Sequence, residues 1–140
     1  MCGPVTRPIV VFVAVAVVLI VMAATPASAT PIATVRTQWL AFDVALNDKS
    51  GDMSQQCLGE EIAATPFAQF TRPRQIPRRD WQHLVASMLY MVSSAQHCQR
   101  AFVPPLDLTT FNNELQAKIA DMQRATAELS QISERTKKLL

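Results

Sequence analysis

Three side chains able to ligate a metal or a haem iron stand seven residues apart in one stretch: His83, Tyr90 and His97 within QHLVASMLYMVSSAQHCQ (82–99), with Cys98 directly after the last. They include both histidines of the chain and its single tyrosine. On an α-helix a seven-residue step drifts by only about 20°, so the three form a nearly straight row, with Ser87 and Ser94 beside it. Neighbours in the row stand about 10 Å apart along the axis, too far for two imidazoles to hold one small ion. The row alone therefore makes no zinc site, and no metal or other cofactor is expected. A planar ligand such as haem needs only one axial side chain, but His97-Cys98 lacks the second cysteine of covalent haem attachment. Trp81, Leu84, Val85, Met88, Val92 and Ala95 gather on the opposite side, the side that must meet a core. The row is accordingly expected to point outward as a solvated polar face, with ligand binding at His83, Tyr90 and His97 as its alternative use.

A second cluster is electrostatic. Arg72, Arg74, Arg78 and Arg79 fall within eight residues that hold no acid, whereas the segment from Arg36 to Glu61 carries two basic and five acidic residues. Such a contrast suits an anionic envelope polymer or lipid headgroups. The competing expectation, which we favour from sequence, is that the arginines fold back onto the chain's own acidic helices.

Other chemistries find little support. In DKSGD (48–52) Asp48, Ser50 and Asp52 alternate as in a calcium loop, but Met53 stands where glycine is needed and Gly59 where a bidentate glutamate belongs, so a turn is expected. There is no glycine-rich phosphate loop and no nucleophile elbow, and the adjacent Glu60 and Glu61 point to different sides of a helix. No catalytic residues are assigned and no enzyme activity is expected.

The amino terminus reads as an address. Arg7 precedes the apolar run Ile9 to Ala24, and small residues at Ala27 and Ala29 complete a secretory signal over 1–29, cleaved to leave Thr30 first. The run has 16 residues, short of the roughly 20 a spanning helix needs. Cys2 leaves with the signal. The remaining 111 residues, 30–140, make one domain with 12 basic and 11 acidic side chains, so no global field recruits nucleic acid. Cys57 and Cys98 then permit a single pairing, and in an oxidising compartment they are expected to form a disulfide.

The elements that would carry these groups are helices. Only Gly51 and Gly59 remain, and alternating strand patterns bounded by turns are absent. The expected fold is all-α, a small three- or four-helix bundle with helices at about 32–46, 52–64, 80–99 and 108–138. The first places Val35, Trp39, Phe42 and Leu46 on one face; NDKSGD interrupts it, and Asp52 caps a second helix that turns Met53 and Cys57 inward. A single bent helix through the interruption is the alternative, since Trp39, Leu46 and Met53 keep a seven-residue step. Phe67 and Phe70 pack a proline- and arginine-rich linker onto the bundle, and Asp80 caps the third helix. In the last helix eight of ten heptad core positions from Leu108 are apolar, Lys118 and Thr136 being the exceptions. Its flanks carry no complementary charges across a parallel seam, so it reads as a bundle helix whose end beyond Ser130 projects.

The sequence thus describes a secreted or cell-envelope binding module, monomeric or weakly self-associating, whose partner is an unknown protein or an anionic envelope polymer, with membrane contact compatible. A carrier of a hydrophobic or haem-like molecule, with Met88, Phe67 and Phe70 lining its pocket, is the alternative. A bundle tethered by an uncleaved signal is the second.

Overall fold

In a computed structural model, which describes residues 27–140, the chain folds into five helices: α1 (Ile32–Asn47), α2 (Met53–Ala64), α3 (Arg78–Ala101), α4 (Leu108–Ser130) and the single turn α5 (Glu134–Lys137). Among the described residues there is no strand, and no helix is long and apolar enough to cross a membrane. The expected signal, Cys2 included, lies outside the described residues up to residue 26.

The break between α1 and α2 is local chemistry. The Asp48 carboxylate accepts from the Ser50 amide and hydroxyl (2.8 and 2.6 Å). Gly51 takes a left-handed φ of 73°, which side chains other than glycine rarely adopt. Asp52 and Gln55 then close a capping box, each side chain bonded to the other's backbone amide. Two helices result rather than one bent helix. Cys57 turns fully inward as expected, but Met53 stays exposed on the first turn of α2.

After α2 a 3₁₀ turn, Thr65–Ala68, leads into the linker. Phe67 is buried and Phe70 packs tilted against it, ring centroids 5.7 Å apart. Pro73 and Ile76, which the sequence reading passed over, are also buried, so the linker is clamped to the core along much of its length.

α3 is the central helix, packed against α2 on one side and α4 on the other. It begins two residues before the expected cap, on Pro77. Asp80 is therefore not its cap but a member of its first turn, and its carboxylate serves another part of the chain. Trp81, Leu84, Met88 and Met91 enter the main core with Val35 and Phe42 of α1, Phe67 and Ile76 of the linker, and Ala125 of α4.

α4 is capped by Asp107, which accepts from the Thr110 amide and hydroxyl (both 2.8 Å). The expected helix over 108–138 stops at Ser130. Ser133 starts α5 by accepting from the Thr136 amide, and Asp80 accepts from the Ser133 and Thr136 hydroxyls. Ile132 and Thr136 are buried, Leu139 and Leu140 pack on the core, and Arg36 Nε donates to the Leu139 carbonyl (2.9 Å). The carboxy-terminal segment thus folds back over α1 and α3 and does not project. Of the expected heptad core, Leu108 and Met122 are exposed.

Successive helices alternate in direction, which gives the bundle two distinct ends. At the entry end Thr30 is bonded to Thr71, and Ser133 to Asp80 in the first turn of α3. At the other, Cys57 and Cys98 form the expected disulfide, Cα atoms 6.0 Å apart and both residues without exposed surface.

Candidate functional site

The histidine row does not face solvent. It faces α4, which runs antiparallel to α3, and meets acids spaced by the same seven residues in reverse order. His83 Nδ1 lies 2.6 Å from Glu128 Oε2, His97 Nδ1 2.5 Å from Glu114 Oε2, and His97 Nε2 3.7 Å from Asp121. Between them the Arg124 guanidinium, paired with Asp121 at 2.9 Å, sits 5.9 Å from the centre of the Tyr90 ring. A carboxylate only accepts, so His83 Nδ1 is the donor to Glu128, whereas His97 Nδ1 lies between Glu114 and Arg100 Nη2, the latter at 2.7 Å. The His97 hydrogen bond, aided by Arg100 at 3.2 Å, holds the Glu114 carboxyl below its ordinary range. The acids of one flank of α4 thus find their complement within the chain, on a neighbour running the other way.

The small residues beside the row explain how the two helices come close. Ser87 and Ser94 are both fully buried in the seam. Ser87 Oγ donates to the Ala125 carbonyl (3.0 Å), whereas Ser94 Oγ has no partner. The sequence pattern missed this because it sorted α3 into one apolar and one polar face. A helix packed on both sides has two buried faces, and the second is lined by serine, histidine and tyrosine.

Each member of the row therefore stands in a contact made by its own chain. Among the described residues no group of three or more histidine, cysteine, aspartate or glutamate side chains is arranged to hold a metal ion. Phe67 and Met88, expected to line a carrier pocket, are buried in the core itself. The apolar pocket between Trp39, Leu129, Ile132, Lys137 and Leu140 holds about 180 Å³, below the roughly 300 Å³ at which small-molecule sites begin, and the wider hollow of about 480 Å³ beside Leu89, Tyr90 and Arg124 is a shallow depression open to solvent.

The two heptad exceptions also have partners. Lys118 reaches the disulfide, its Nζ 3.9 Å from Cys57 Sγ. Thr136 supplies a hydroxyl to buried Asp80. Glu60 and Glu61 diverge: burial pushes the Glu60 carboxyl up, against the pull of Lys118 and Lys49, while Glu61 accepts from Gln96 and Gln99. The two carboxylates are not assembled on one substrate position.

The arginine segment is the counterpart of this internal saturation. Arg72 Nη1 donates to the Ile76 carbonyl (2.7 Å), bracing the linker, and Arg72, Arg74, Arg78 and Arg79 are all exposed. Among the described residues no ion pair joins any of the four to a carboxylate, and residues 1–26 contain no acid. The expectation that these arginines fold back onto the acidic helices is therefore corrected. The nearest acid in sequence, Asp80, is turned inward to Ser133 and Thr136, which hold its carboxyl below the ordinary range.

Fold and site together define a class: an all-helical, disulfide-stapled bundle whose seam pairs its histidines with its own acids and whose linker carries four exposed arginines that pair with none. No family model matches the chain, and neither a curated protein nor a solved structure matches it.

Proposed function

We propose that the protein is a secreted or cell-envelope binding module, without catalytic activity of its own, that engages an anionic partner through Arg72, Arg74, Arg78 and Arg79. One observation carries this reading: four exposed guanidiniums on a segment clamped by Phe67, Pro73 and Ile76, with no carboxylate of the chain neutralising them. A segment already ordered loses little freedom on binding. Guanidinium also offers a planar, bidentate fit to phosphate, sulfate or carboxylate. The disulfide supports placement outside the reducing cytoplasm.

The test is binding to soluble polyphosphate. Arg78→Glu with Arg79→Glu is expected to weaken it by about tenfold or more, and raised salt to weaken it in the native protein. Glutamate in the first turn of α3 is favourable to the helix dipole, so the double variant retains its fold. Binding unchanged by the double substitution means that the segment is not the interface.

A further inference from the structure

We infer that the anionic partner of the basic segment is a membrane surface, and that the entry end of the bundle is held against lipid headgroups. This rests on the anionic-partner role proposed above for the same arginines, names the partner, and concerns the chain that keeps its apolar run, the tethered form given above as the second alternative. Two independent observations converge on that end.

The first is the distribution of charge over the whole bundle. The carboxy-terminal turn, folded back onto Asp80, brings Arg135, Lys137 and Lys138 to the entry end. Arg36 is tied there through the Leu139 carbonyl. With the four linker arginines this makes eight basic side chains at one end. The acids among them are Asp80, Glu128 and Glu134, and each is already engaged: by Ser133 and Thr136, by His83, and by Lys137 respectively. The opposite end carries Asp43, Asp48, Asp52, Glu60, Asp107 and Glu114 against Lys49, Arg100 and Lys118, the last beside Cys57. A near-neutral chain is thus folded into a charge-polarised body, and an anionic surface attracts one end and repels the other.

The second is where the chain enters. Thr30 N donates to the Thr71 carbonyl (3.2 Å), the Thr71 amide donates to Thr30 Oγ1 (2.9 Å), and Thr71 Oγ1 donates to the Ser28 carbonyl (2.6 Å). Residues 28–30 are therefore pinned beside Arg72. The apolar run Ile9 to Ala24 ends four residues before Ser28, and four residues span at most about 14 Å. The 24-residue α3 is about 36 Å long. The carboxyl end of the apolar run, Ala24, is thus tied by chain length to within about 14 Å of Ser28 at the basic end. Wherever that run enters a bilayer, Arg72 to Arg79 are brought to the headgroups.

The experiment uses the full chain, apolar run included, reconstituted in vesicles of phosphatidylcholine alone or with added phosphatidylglycerol. Arginine labelling by phenylglyoxal is read residue by residue by mass spectrometry. Arg72, Arg74, Arg78 and Arg79 are expected to label several-fold more slowly in the anionic vesicles than in the neutral ones, while Arg100 at the opposite end labels equally in both. High salt should remove the difference, and Arg78→Glu with Arg79→Glu should restore labelling at Arg72 and Arg74. Equal labelling of the four in both vesicles overturns the inference. So does protection that extends equally to Arg100, or that survives the double substitution. If the arginines bind polyphosphate yet gain no protection on anionic vesicles, the lipid partner is wrong while the binding-module reading stands. If both signals are absent, that reading falls with it.

Discussion

Ser94 and Asp80 show how differently a buried polar group behaves with and without partners. The Ser94 hydroxyl is buried in the α3–α4 seam with nothing to bond, and an unpaired buried hydroxyl is destabilising. Ser94→Ala is expected to raise stability by about 1 kcal/mol in urea denaturation, whereas Ser87→Ala, which deletes a bond to the Ala125 carbonyl, should lower it by a similar amount. Asp80 is 6% exposed and accepts from both Ser133 and Thr136. Asp80→Asn should destabilise the protein by about 2 kcal/mol at neutral pH, because hydrogen bonds to a charged acceptor are the stronger kind. The sign of its pH dependence follows from the lowered carboxyl. The ionised form is favoured by folding, so its contribution is complete above the ordinary carboxylate range and fades as pH falls below that range toward the lowered value of the folded protein. The gap between native and Asp80→Asn stabilities should therefore narrow on acidification; a gap constant from neutral pH to pH 3 would show that Asp80 is not the group being titrated.

Among the elements, α2 depends most on its covalent link. It has 12 residues, fewer than an isolated helix needs in water, and its outward side chains Leu58 and Ile62 are exposed. The Cys57–Cys98 bridge joins it to the central helix across a separation of 41 residues. Cys57→Ala with Cys98→Ala is expected to cost about 4 kcal/mol, measured as a shift in the denaturation midpoint without reductant. The seam between α3 and α4 contributes differently. Its histidine–acid pairs are a quarter or more exposed on the His83 side (25% and 30%), so each adds at most about 1 kcal/mol. What the pairs supply is register: a slip of α4 by one turn would leave Glu114, Asp121 and Glu128 opposite apolar or unpaired positions.

For the whole molecule, the relevant quantity is the field rather than any one contact. The chain carries a formal net charge of +2, which by itself says nothing about partners. Folding sorts that charge to two ends, and the charge-reversal variant Arg78→Glu with Arg79→Glu alters one of them without touching the core, since both side chains are exposed. It is expected to leave the melting temperature close to that of the native protein while weakening polyphosphate binding and removing headgroup protection. A large fall in melting temperature would instead assign these arginines to the scaffold.

Much of the architecture was legible from residues close in sequence. The helical content follows from scarce glycine and 3.6-residue periodicity, the break at Asn47–Asp52 from turn and capping residues, and the bridge from having only two cysteines downstream of the apolar run. These signals are local, or arithmetic, and need no knowledge of neighbours. The sequence also marked Lys118 and Thr136 as flaws in a heptad and His83, Tyr90 and His97 as a polar row, correctly as patterns but without their partners. Only the tertiary structure supplied Cys57 beside Lys118, Asp80 beneath Thr136, and a reversed row of acids opposite the histidines. It alone decided that the carboxy-terminal turn folds back and that the basic side chains collect where the chain enters. The physical reason is that periodicity tells which faces of a helix differ, whereas the identity of what each face meets depends on contacts 14 to 103 residues away in the chain.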